Sequence, residues 1–600
     1  EKTTVGDGGA IYTLGNLYIN SKDDETQTTI FEKNSAVNGG AIYSQGVLGI
    51  YNTKFIANSA VNGGAMYINK AGDTNDTETT SIVGKSLFEK NKADNGAGVY
   101  NAGEVTFENN EFLSNTAKVA GGAIYNTGTL TQKVAIFTNN KAVNGGALYN
   151  AGTYTDETID GDKTTTENVT KLFTKFENNT ATLGGAIYNV GTLTLKGTYF
   201  NGNYAIYGGT IYNAGKVTLE DVTFDNTNKV INIVGGVIYN YGSFDIKGSH
   251  FNKNLASAYG GAIFNTSYMF WAGVMTSSKN EFKKNESSYG GAIFSNAGTF
   301  TSTEDYFEGN KANFGGAIYN ASVLKLENSK FVKNEGVYGG AILSSKTINI
   351  KGGEFNENDG YWAGAIYAGS STTKDKKGNL VLGGKVTIDG TTFKGNYGRI
   401  NAGALYVASS NTIIENAIFD GNHADAYGGA ILIATSDDIA KINSTTFKGN
   451  YVNANGGAIY NSGNLKVNIV EKKDEKVSSG DDSTSSENND IKYTTTIFDS
   501  NKADNGGAIY NAGKVIADNV KFTNNKITCN GGAINNTGYV KLTNAIFESN
   551  IADSTKIENK GGAIYNNPTI TESTEEKPQG LNVSTSAFGS NKADLGGAIY

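Results

Sequence analysis

The sequence predicts an all-β chain folded as a single right-handed parallel β-solenoid, also called a parallel β-helix. A Gly-Gly-Ala-aliphatic-Tyr-Asn element recurs from Gly8 to Gly596 in the 600 residues, and a Phe-x-x-Asn element follows it within the repeat. The composition, with 78 glycines, 34 tyrosines and 28 phenylalanines but only 2 prolines, suits short stacked strands joined by tight turns. Periodicity of the helical kind is not sustained anywhere, which disfavours a solenoid of helices.

The repeat has a minimum length of 24 residues. This spacing separates Gly39 from Gly63 and Gly315 from Gly339, and longer spacings occur between other copies. The Gly-Gly-Ala form occurs 16 times and 5 variants fill the gaps, which gives 21 copies. Because the shortest spacing recurs while the longer ones vary, the unit is a coil that tolerates insertions, and we expect about 20 coils.

A comparison of the copies with each other predicts which side chains face the core. The residue after Ala is aliphatic in every copy, as at Ile187, so it points into a dry interior. Alternation along a strand then places Tyr188 outside and returns Asn189 to the inside at a corner. Leu193 lies in a second short strand and Phe200 in a third. We therefore expect about three short strands per coil, with like residues of successive coils stacked in parallel.

Five polar insertions interrupt an otherwise continuous solenoid segment over residues 1–600. They share one place in the coil, after the Gly-Gly-Ala strand and before the next Phe, so they should project from one side. Solvated loops are the first interpretation and a loop-decorated binding face is the alternative. Since the repeat extends to Tyr600, we interpret the sequence as a segment of a longer protein. The insertions are at residues 70–85, 152–170, 369–386, 467–493 and 567–582.

Composition excludes several classes of function. The net charge of −8 and the mixed distribution of charges leave no basic surface for nucleic acid. No run of about 18 apolar residues is present to form a membrane-spanning helix. A single cysteine, Cys529, permits no disulfide within the chain. His250 and His423 are the only histidines and are interpreted as turn residues facing solvent. The sequence therefore predicts no catalytic, cofactor-binding or metal-binding residues, and no enzyme.

Two copies show a family pattern in full. Phe55–Asn58 precedes Gly63–Met66, and Phe331–Asn334 precedes Gly339–Ile342. These elements resemble the chlamydial polymorphic outer-membrane protein repeat, which combines GGA and I, L or V with FxxN. The chain is also similar to adhesin-like surface proteins of gut methanogens, which use GGAIYN runs. The resemblance implies an extracellular, cell-surface stalk or passenger region with a role in adhesion.

The outward aromatic position and three asparagines are the candidate surface sites. Of the 21 copies, 18 have Tyr or Phe after the aliphatic residue. This stripe could stack on sugar rings or pack against a neighbouring solenoid, or it could stabilise only its own sheet. Its representative residues are Tyr43, Tyr67, Tyr125, Tyr149, Tyr188, Tyr319 and Tyr460. The asparagines, in Asn-x-Ser/Thr triplets in predicted loops, are Asn75, Asn168 and Asn582, as candidates for glycosylation.

Three hypotheses of function follow. The first is an extracellular adhesin-like stalk or fibre whose partners are other cells, surface polymers or glycans. The second is a structural filament whose subunits stack end to end or laterally with copies of the same chain. The third is a polysaccharide-active β-helix enzyme, which would need carboxylates clustered in a groove, whereas the acids of this chain are scattered.

Overall fold

Parallel strands form all the regular secondary structure of the described residues. A computed structural model describes residues 6–24, 26–69, 80–157, 173–225, 235–267, 274–296, 298–369, 384–408, 411–434, 439–470, 493–553, 558–568 and 580–600. Two compact units divide the chain, Glu1–Val323 (unit 1) and Leu324–Tyr600 (unit 2). Each is a parallel β-solenoid, which confirms the predicted fold class. Its handedness, its number of coils and the continuity of one segment over residues 1–600 stay predictions.

Face A is the sheet formed by the strands that follow the Gly-Gly-Ala elements. Its strands pair in register with the same position one coil on, as Ile124 does with Leu148 and Leu148 with Ile187. In unit 1 they are Ile11–Thr13, Ile42–Ser44, Met66–Ile68, Val99–Asn101, Ile124–Asn126, Leu148–Asn150, Ile187–Asn189, Ile211–Asn213, Ile238–Asn240, Ile263–Asn265, Ile293–Ser295 and Ile318–Asn320. In unit 2 they are Ile342–Ser344, Ile366–Gly369, Leu405–Ala408, Ile431–Ile433, Ile459–Asn461, Ile509–Asn511, Ile534–Asn536 and Ile564–Asn566.

Face B comprises the second and third predicted strands of each coil, which in some coils join into one ten-residue strand. Its strands in unit 1 are Leu17–Ile19, Thr29–Glu32, Leu48–Tyr51, Thr53–Ile56, Ser81–Gly84, Leu87–Glu89, Glu104–Leu113, Thr129–Thr138, Thr153–Glu157, Lys175–Glu177, Thr192–Lys196, Tyr199–Asn201, Lys216–Glu220, Thr223–Asp225, Ser243–Lys247, His250–Asn252, Met275–Ser278, Glu281–Lys283, Thr299–Thr303 and Tyr306–Glu308. Those of unit 2 are Val323–Glu327, which begins one residue earlier, Lys330–Val332, Ile348–Lys351, Glu354–Asn356, Val386–Asp389, Thr392–Lys394, Thr412–Glu415, Ile418–Asp420, Ile439–Asn443, Thr446–Lys448, Asn464–Val467, Thr496–Asp499, Lys514–Thr523, Tyr539–Glu548, Gly580–Ser584 and Ala587–Gly589.

Face C is a short extra strand after the Phe-x-x-Asn corner, which the three-strand prediction did not include. It forms in only some of the described coils. Each of these strands has only two to five residues. Most of them bury an inward alanine or small aliphatic side chain, such as Ala93 or Ala117. The strands are Lys92–Asn95, Thr116–Ala120 and Lys311–Phe314 in unit 1, and Glu335–Tyr338, Asp359–Gly360, Tyr397–Gly398, His423–Ala424, Tyr451–Val452, Lys502–Asn505, Lys526–Asn530 and Ile551–Ala552 in unit 2.

Columns of similar apolar side chains fill the interior. Phe112, Phe137 and Phe176 are fully buried and stack at 4.8 and 4.5 Å between ring centroids, with the planes within 6° of parallel. The aliphatic residues of face A, such as Ile187, are also fully buried. Both positions were predicted to face inward. A parallel offset stack is a favourable arrangement of aromatic rings, so the repeat adds stacking to simple apolar burial.

A column of buried asparagines closes the corner after each phenylalanine. The backbone N–H and side-chain Nδ2 of Asn140 both donate to Oδ1 of Asn179, at 2.9 and 3.0 Å, and Nδ2 also donates to the carbonyl of Phe112 at 2.9 Å. Asn115 makes the same pair of bonds to Oδ1 of Asn140, at 3.0 Å each. These neighbouring coils therefore satisfy each other's polar groups at the corner, as buried amides require.

Each of the two glycines of the Gly-Gly-Ala element is required for a different steric reason. Gly184 has a φ of 62°, in the left-handed region, and a Cβ there would lie 2.0 Å from the carbonyl oxygen of Ile187. A Cβ on Gly185 would lie 2.1 Å from the carbonyl oxygen of Gly209, in the adjacent coil. The first glycine thus permits the turn and the second permits the coils to approach each other.

We expect the substitution Asn140→Ala to destabilise the coils on both sides of it by about 2–4 kcal/mol, because it leaves the buried donors of Asn115 without their acceptor. Hydrogen exchange measured by mass spectrometry should show faster exchange of the amides around Asn115, Asn140 and Asn179. The exposed neighbour substitution Lys141→Ala is the control and should change stability by less than about 0.5 kcal/mol. Equal exchange in the two variants would contradict a structural role for the asparagine column.

Candidate functional site

Nine tyrosines of face A stack on the outside of unit 1 in an unbroken column, named here the tyrosine column. Successive rings lie 4.6–5.2 Å apart between centroids, with interplanar angles of 3–14°. Register pairing of the face A strands places each phenol above the phenol one coil away. The column consists of Tyr12, Tyr43, Tyr67, Tyr100, Tyr125, Tyr149, Tyr188, Tyr212 and Tyr239.

The residues of the predicted aromatic stripe lie at this position of the coil. Five of them belong to the tyrosine column, while Tyr319 stacks on Phe294 at 4.9 Å and Tyr460 stacks on Tyr510 at 5.3 Å. Most are half-buried, and Tyr43 is only 7% exposed. The stripe of unit 2 is interrupted, because Leu343, Leu432 and Asn535 occupy the position in three coils. A functional role of the stripe stays a prediction.

Stacking determines which parts of these rings remain available. In a column the faces of each internal ring cover the faces of its neighbours, so the edges and hydroxyl groups are what the rings present outward. Burial raises the pKa of the Tyr125 phenol to about 12, with a further contribution from the neighbouring Tyr149. Sugar rings bind to aromatic faces, so the geometry favours the stabilising interpretation over sugar stacking for the inner members of the column.

A second aromatic row lies beside face A in the later coils of unit 1, and sequence reasoning missed it. In these coils an aromatic residue occupies the position before the first glycine of the element, where earlier coils have asparagine, as at Asn38, Asn62 and Asn95. Tyr207 meets Tyr239 edge to face at 6.0 Å and 88°, and Tyr289 meets Tyr319 at 5.6 Å and 82°. The sequence signal was Tyr-Gly-Gly or Phe-Gly-Gly in place of Asn-Gly-Gly. The full row is Tyr207, Tyr259, Tyr289 and Phe314.

Exposed aliphatic side chains form a ridge two residues before Gly-Gly in unit 1, named here the valine ridge. Backbone hydrogen bonds join some of its members directly, as when Val61 donates to the carbonyl of Val37 at 2.9 Å. In other coils a polar residue, such as Asp94 or Thr182, occupies the same position and interrupts the ridge. Its members are 39–49% exposed: Val37, Val61, Val119, Val143 and Ile206. Apolar groups aligned on a surface are a common feature of protein contacts.

The two histidines occupy strands rather than turns, which corrects their sequence interpretation, and Arg399 directly follows the face C strand Tyr397–Gly398. On face C of unit 2 the His423 ring lies between Tyr397 and Tyr451, at 4.1 and 4.7 Å, and burial lowers its pKa. The guanidinium of Arg399 binds Asp359 through two hydrogen bonds of 2.9 and 2.7 Å. In unit 1, His250 on its face B strand contacts Glu281 at 3.1 Å. Neighbouring coils therefore use these side chains to bind each other.

Two carboxyl groups with strongly raised pKa values lie in the core of unit 1. Burial raises the pKa of Asp156 to about 7, although the hydroxyls of Thr174 and Thr198 donate to it at 2.6 and 2.5 Å. Burial raises that of Asp305 to about 6, where Ser302 and the backbone of Asn280 donate to it. Raised carboxyl pKa values are typical of catalytic acids, but these groups face the interior of the solenoid. They act as hydrogen-bond acceptors within it.

The described part of the chain offers no grouped metal ligands and no membrane-spanning helix. Within it no group of three or more His, Cys, Asp or Glu residues is placed to hold a metal ion. The described residues also contain no helix of the length and hydropathy that crossing a membrane requires. Cys529 is a free, half-buried cysteine on the strand Lys526–Asn530, and burial raises the pKa of its thiol.

Most of the predicted loops and glycosylation sites lie outside the described residues. This applies to Asn75, to Asn168 and to the greater part of the five insertions. Asn582 is exposed but lies in the face B strand Gly580–Ser584, so the prediction that it belongs to a loop is wrong. The predicted insertion ends at residue 582, but the strand already begins at Gly580, so the predicted boundary lies three residues too late.

Comparison with known proteins finds one family. Seven segments match the Chlamydia polymorphic membrane protein repeat, at residues 28–45, 135–151, 174–190, 306–321, 416–434, 444–462 and 495–512. The chain therefore carries this repeat in both units, as its resemblance implied. The repeat is that of a family of structural proteins of the outer-membrane surface. No curated protein and no solved structure matches the chain.

We expect the buried Asp156 to make unit 1 less stable as the pH rises from about 4 to about 7. Between these values the unfolded state releases the proton of Asp156 while the folded state retains it, so ionisation favours unfolding. The loss should be on the order of 1–4 kcal/mol above about pH 7. The substitution Asp156→Asn removes this titration.

Thermal unfolding at about pH 5 and about pH 8 measures the effect. The melting temperature of Asp156→Asn, taken relative to that of the wild type, should be higher at the higher pH than at the lower pH. The matched substitution Glu157→Gln removes an exposed carboxylate on the same strand and should leave the pH dependence of the wild type in place. A constant difference between Asp156→Asn and the wild type at both pH values would show that the carboxyl is ionised throughout.

Proposed function

We propose that this chain of polymorphic membrane protein repeats is an extracellular, adhesin-like surface stalk. The solenoid supplies a stiff support, and the polar insertions at one place in the coil supply the contacts with other cells, surface polymers or glycans. Adhesion is assigned to the inserted segments because the repeated residues are used by the fold itself: isoleucine, phenylalanine and asparagine face inward, and tyrosine stacks on tyrosine.

The repeat carries the proposal. Seven matches to the polymorphic membrane protein repeat, distributed over both units, support a role at the cell surface. The architecture agrees with this role, because coils joined by register pairing and buried side-chain columns are difficult to bend locally. The net charge of −8, with lysine as nearly all of the positive charge, is also compatible with an exposed, soluble surface.

We expect beads coated with the chain to adhere to cells or to immobilised surface polysaccharides, and adhesion to fall when an insertion is removed. The most direct variant lacks residues 471–492, which lie within the longest insertion. A substitution within the repeat, Tyr188→Phe, is the control, because it keeps the stacked ring. Adhesion of neither protein to any cell, polymer or glycan tested would leave the chain a spacer, and equal adhesion of the deletion variant would exclude that insertion as the binding segment.

A second candidate function is a structural filament in which copies pack side by side. The valine ridge favours it, since its aliphatic side chains are 39–49% exposed along one line of unit 1. Such a ridge is a surface on which a second copy could exclude water. Replacing Val61 and Val143 by Thr keeps the β-branched shape and adds polarity. Lateral bundles seen by electron microscopy and lost in this double variant would support the filament, whereas isolated particles in both would exclude lateral packing through the ridge.

A further inference from the structure

We propose that the tyrosine column of unit 1 is a site of oxidative cross-linking, in which phenol rings on consecutive coils are joined as dityrosine. The reaction needs a one-electron oxidant of phenols, such as a haem peroxidase acting with hydrogen peroxide. The product would be a covalent bridge between coils that otherwise have only non-covalent contacts with each other.

The geometry places the reacting rings side by side before any oxidation takes place. The rings of Tyr67 and Tyr100 are 4.7 Å apart and within 4° of parallel, and those of Tyr100 and Tyr125 are 4.9 Å apart and within 12°. The strands that carry them pair in register, so each phenol ring is held beside the ring one coil away. A bond between two groups held in this way forms much faster than one between groups that must first meet by diffusion.

The chemistry balances with peroxide as the oxidant. Each of two phenols loses one electron and one proton and becomes a phenoxyl radical. The radicals join through their ortho carbons, and the two ring hydrogens move to the phenoxyl oxygens, which restores both aromatic rings. One hydrogen peroxide accepts the two electrons and two protons and becomes two waters. Since burial raises the pKa values of Tyr67 and Tyr125, both start as neutral phenols at neutral pH, and the proton leaves with the electron.

The column has a defined extent, which makes it distinct from the general aromatic content of the chain. Beyond Tyr239 the position becomes Phe264 and then Phe294, whose rings have no hydroxyl group and form no dityrosine. In unit 2 only pairs such as Tyr367 with Tyr406, at 4.7 Å, are stacked among the described tyrosines of face A. Cross-linking of a run of consecutive coils is therefore a property of unit 1.

Three tryptic peptides make the test unambiguous. Residues 55–70, 93–118 and 119–133 contain one tyrosine each, which is Tyr67, Tyr100 and Tyr125 respectively. The full chain is treated with a haem peroxidase and hydrogen peroxide, and cross-linked peptides are identified by tandem mass spectrometry in the monomeric product. We expect links between Tyr67 and Tyr100 and between Tyr100 and Tyr125 to exceed links between Tyr67 and Tyr125, two coils apart, by at least about tenfold.

The matched variant is Tyr100→Phe, which keeps the stacked ring, as phenylalanine does at two native positions of the same face. It should lose both links of Tyr100 and keep the link between Tyr125 and Tyr149. Oxidation of the urea-unfolded chain should remove the preference for neighbouring coils. The proposal is wrong if the folded chain forms no dityrosine, if the preference survives unfolding, or if coupling occurs only between molecules through exposed tyrosines such as Tyr204, which is 43% exposed.

Discussion

Everything in these two solenoids depends on the requirement that each coil place its side chains directly against the same side chains of the next coil. The asparagine at the Phe-x-x-Asn corner enforces this most strictly, because its Oδ1 accepts two hydrogen bonds from the asparagine one coil away. A shift of one residue would bury several unsatisfied polar groups at once. The phenylalanine and isoleucine columns tolerate small changes of shape, whereas the asparagine column allows only one register.

Much of this arrangement could be predicted from the sequence, because the repeat provides many independent samples of each position. Ile187, Asn189 and Phe200 are buried as predicted, and Tyr188 lies on the outside. The face C strands could not be predicted, since their backbone pairing extends over only a few residues and leaves almost no pattern beyond a buried alanine. The carboxyl of Asp156 in the core was also missed, because its two hydroxyl donors lie 18 and 42 residues further along the chain, the second of them in the next coil.

The candidate surfaces were harder to predict than the fold, for a physical reason. Alternation along a strand predicts that Tyr188 points outward, but not that the faces of its ring are covered by Tyr149 and Tyr212. Exposure depends on spacing between coils, which the sequence of one coil does not contain. The valine ridge and the second aromatic row depend on alignment across coils in the same way. The sequence signal for the second aromatic row was a departure from the consensus, such as Tyr207 in place of asparagine.

The asparagine column has a consequence for how such chains change in length. Asn140 donates the same hydrogen bond to Asn179 in the following coil that Asn115 donates to Asn140, so such a coil presents matching donors and acceptors to the coils before and after it. A gene rearrangement that duplicates or deletes whole coils then joins two surfaces that already match. Such events leave the fold intact, whereas a deletion of part of a coil breaks every column at once. The number of coils can therefore change during evolution, whereas the residues that form the columns within each coil cannot.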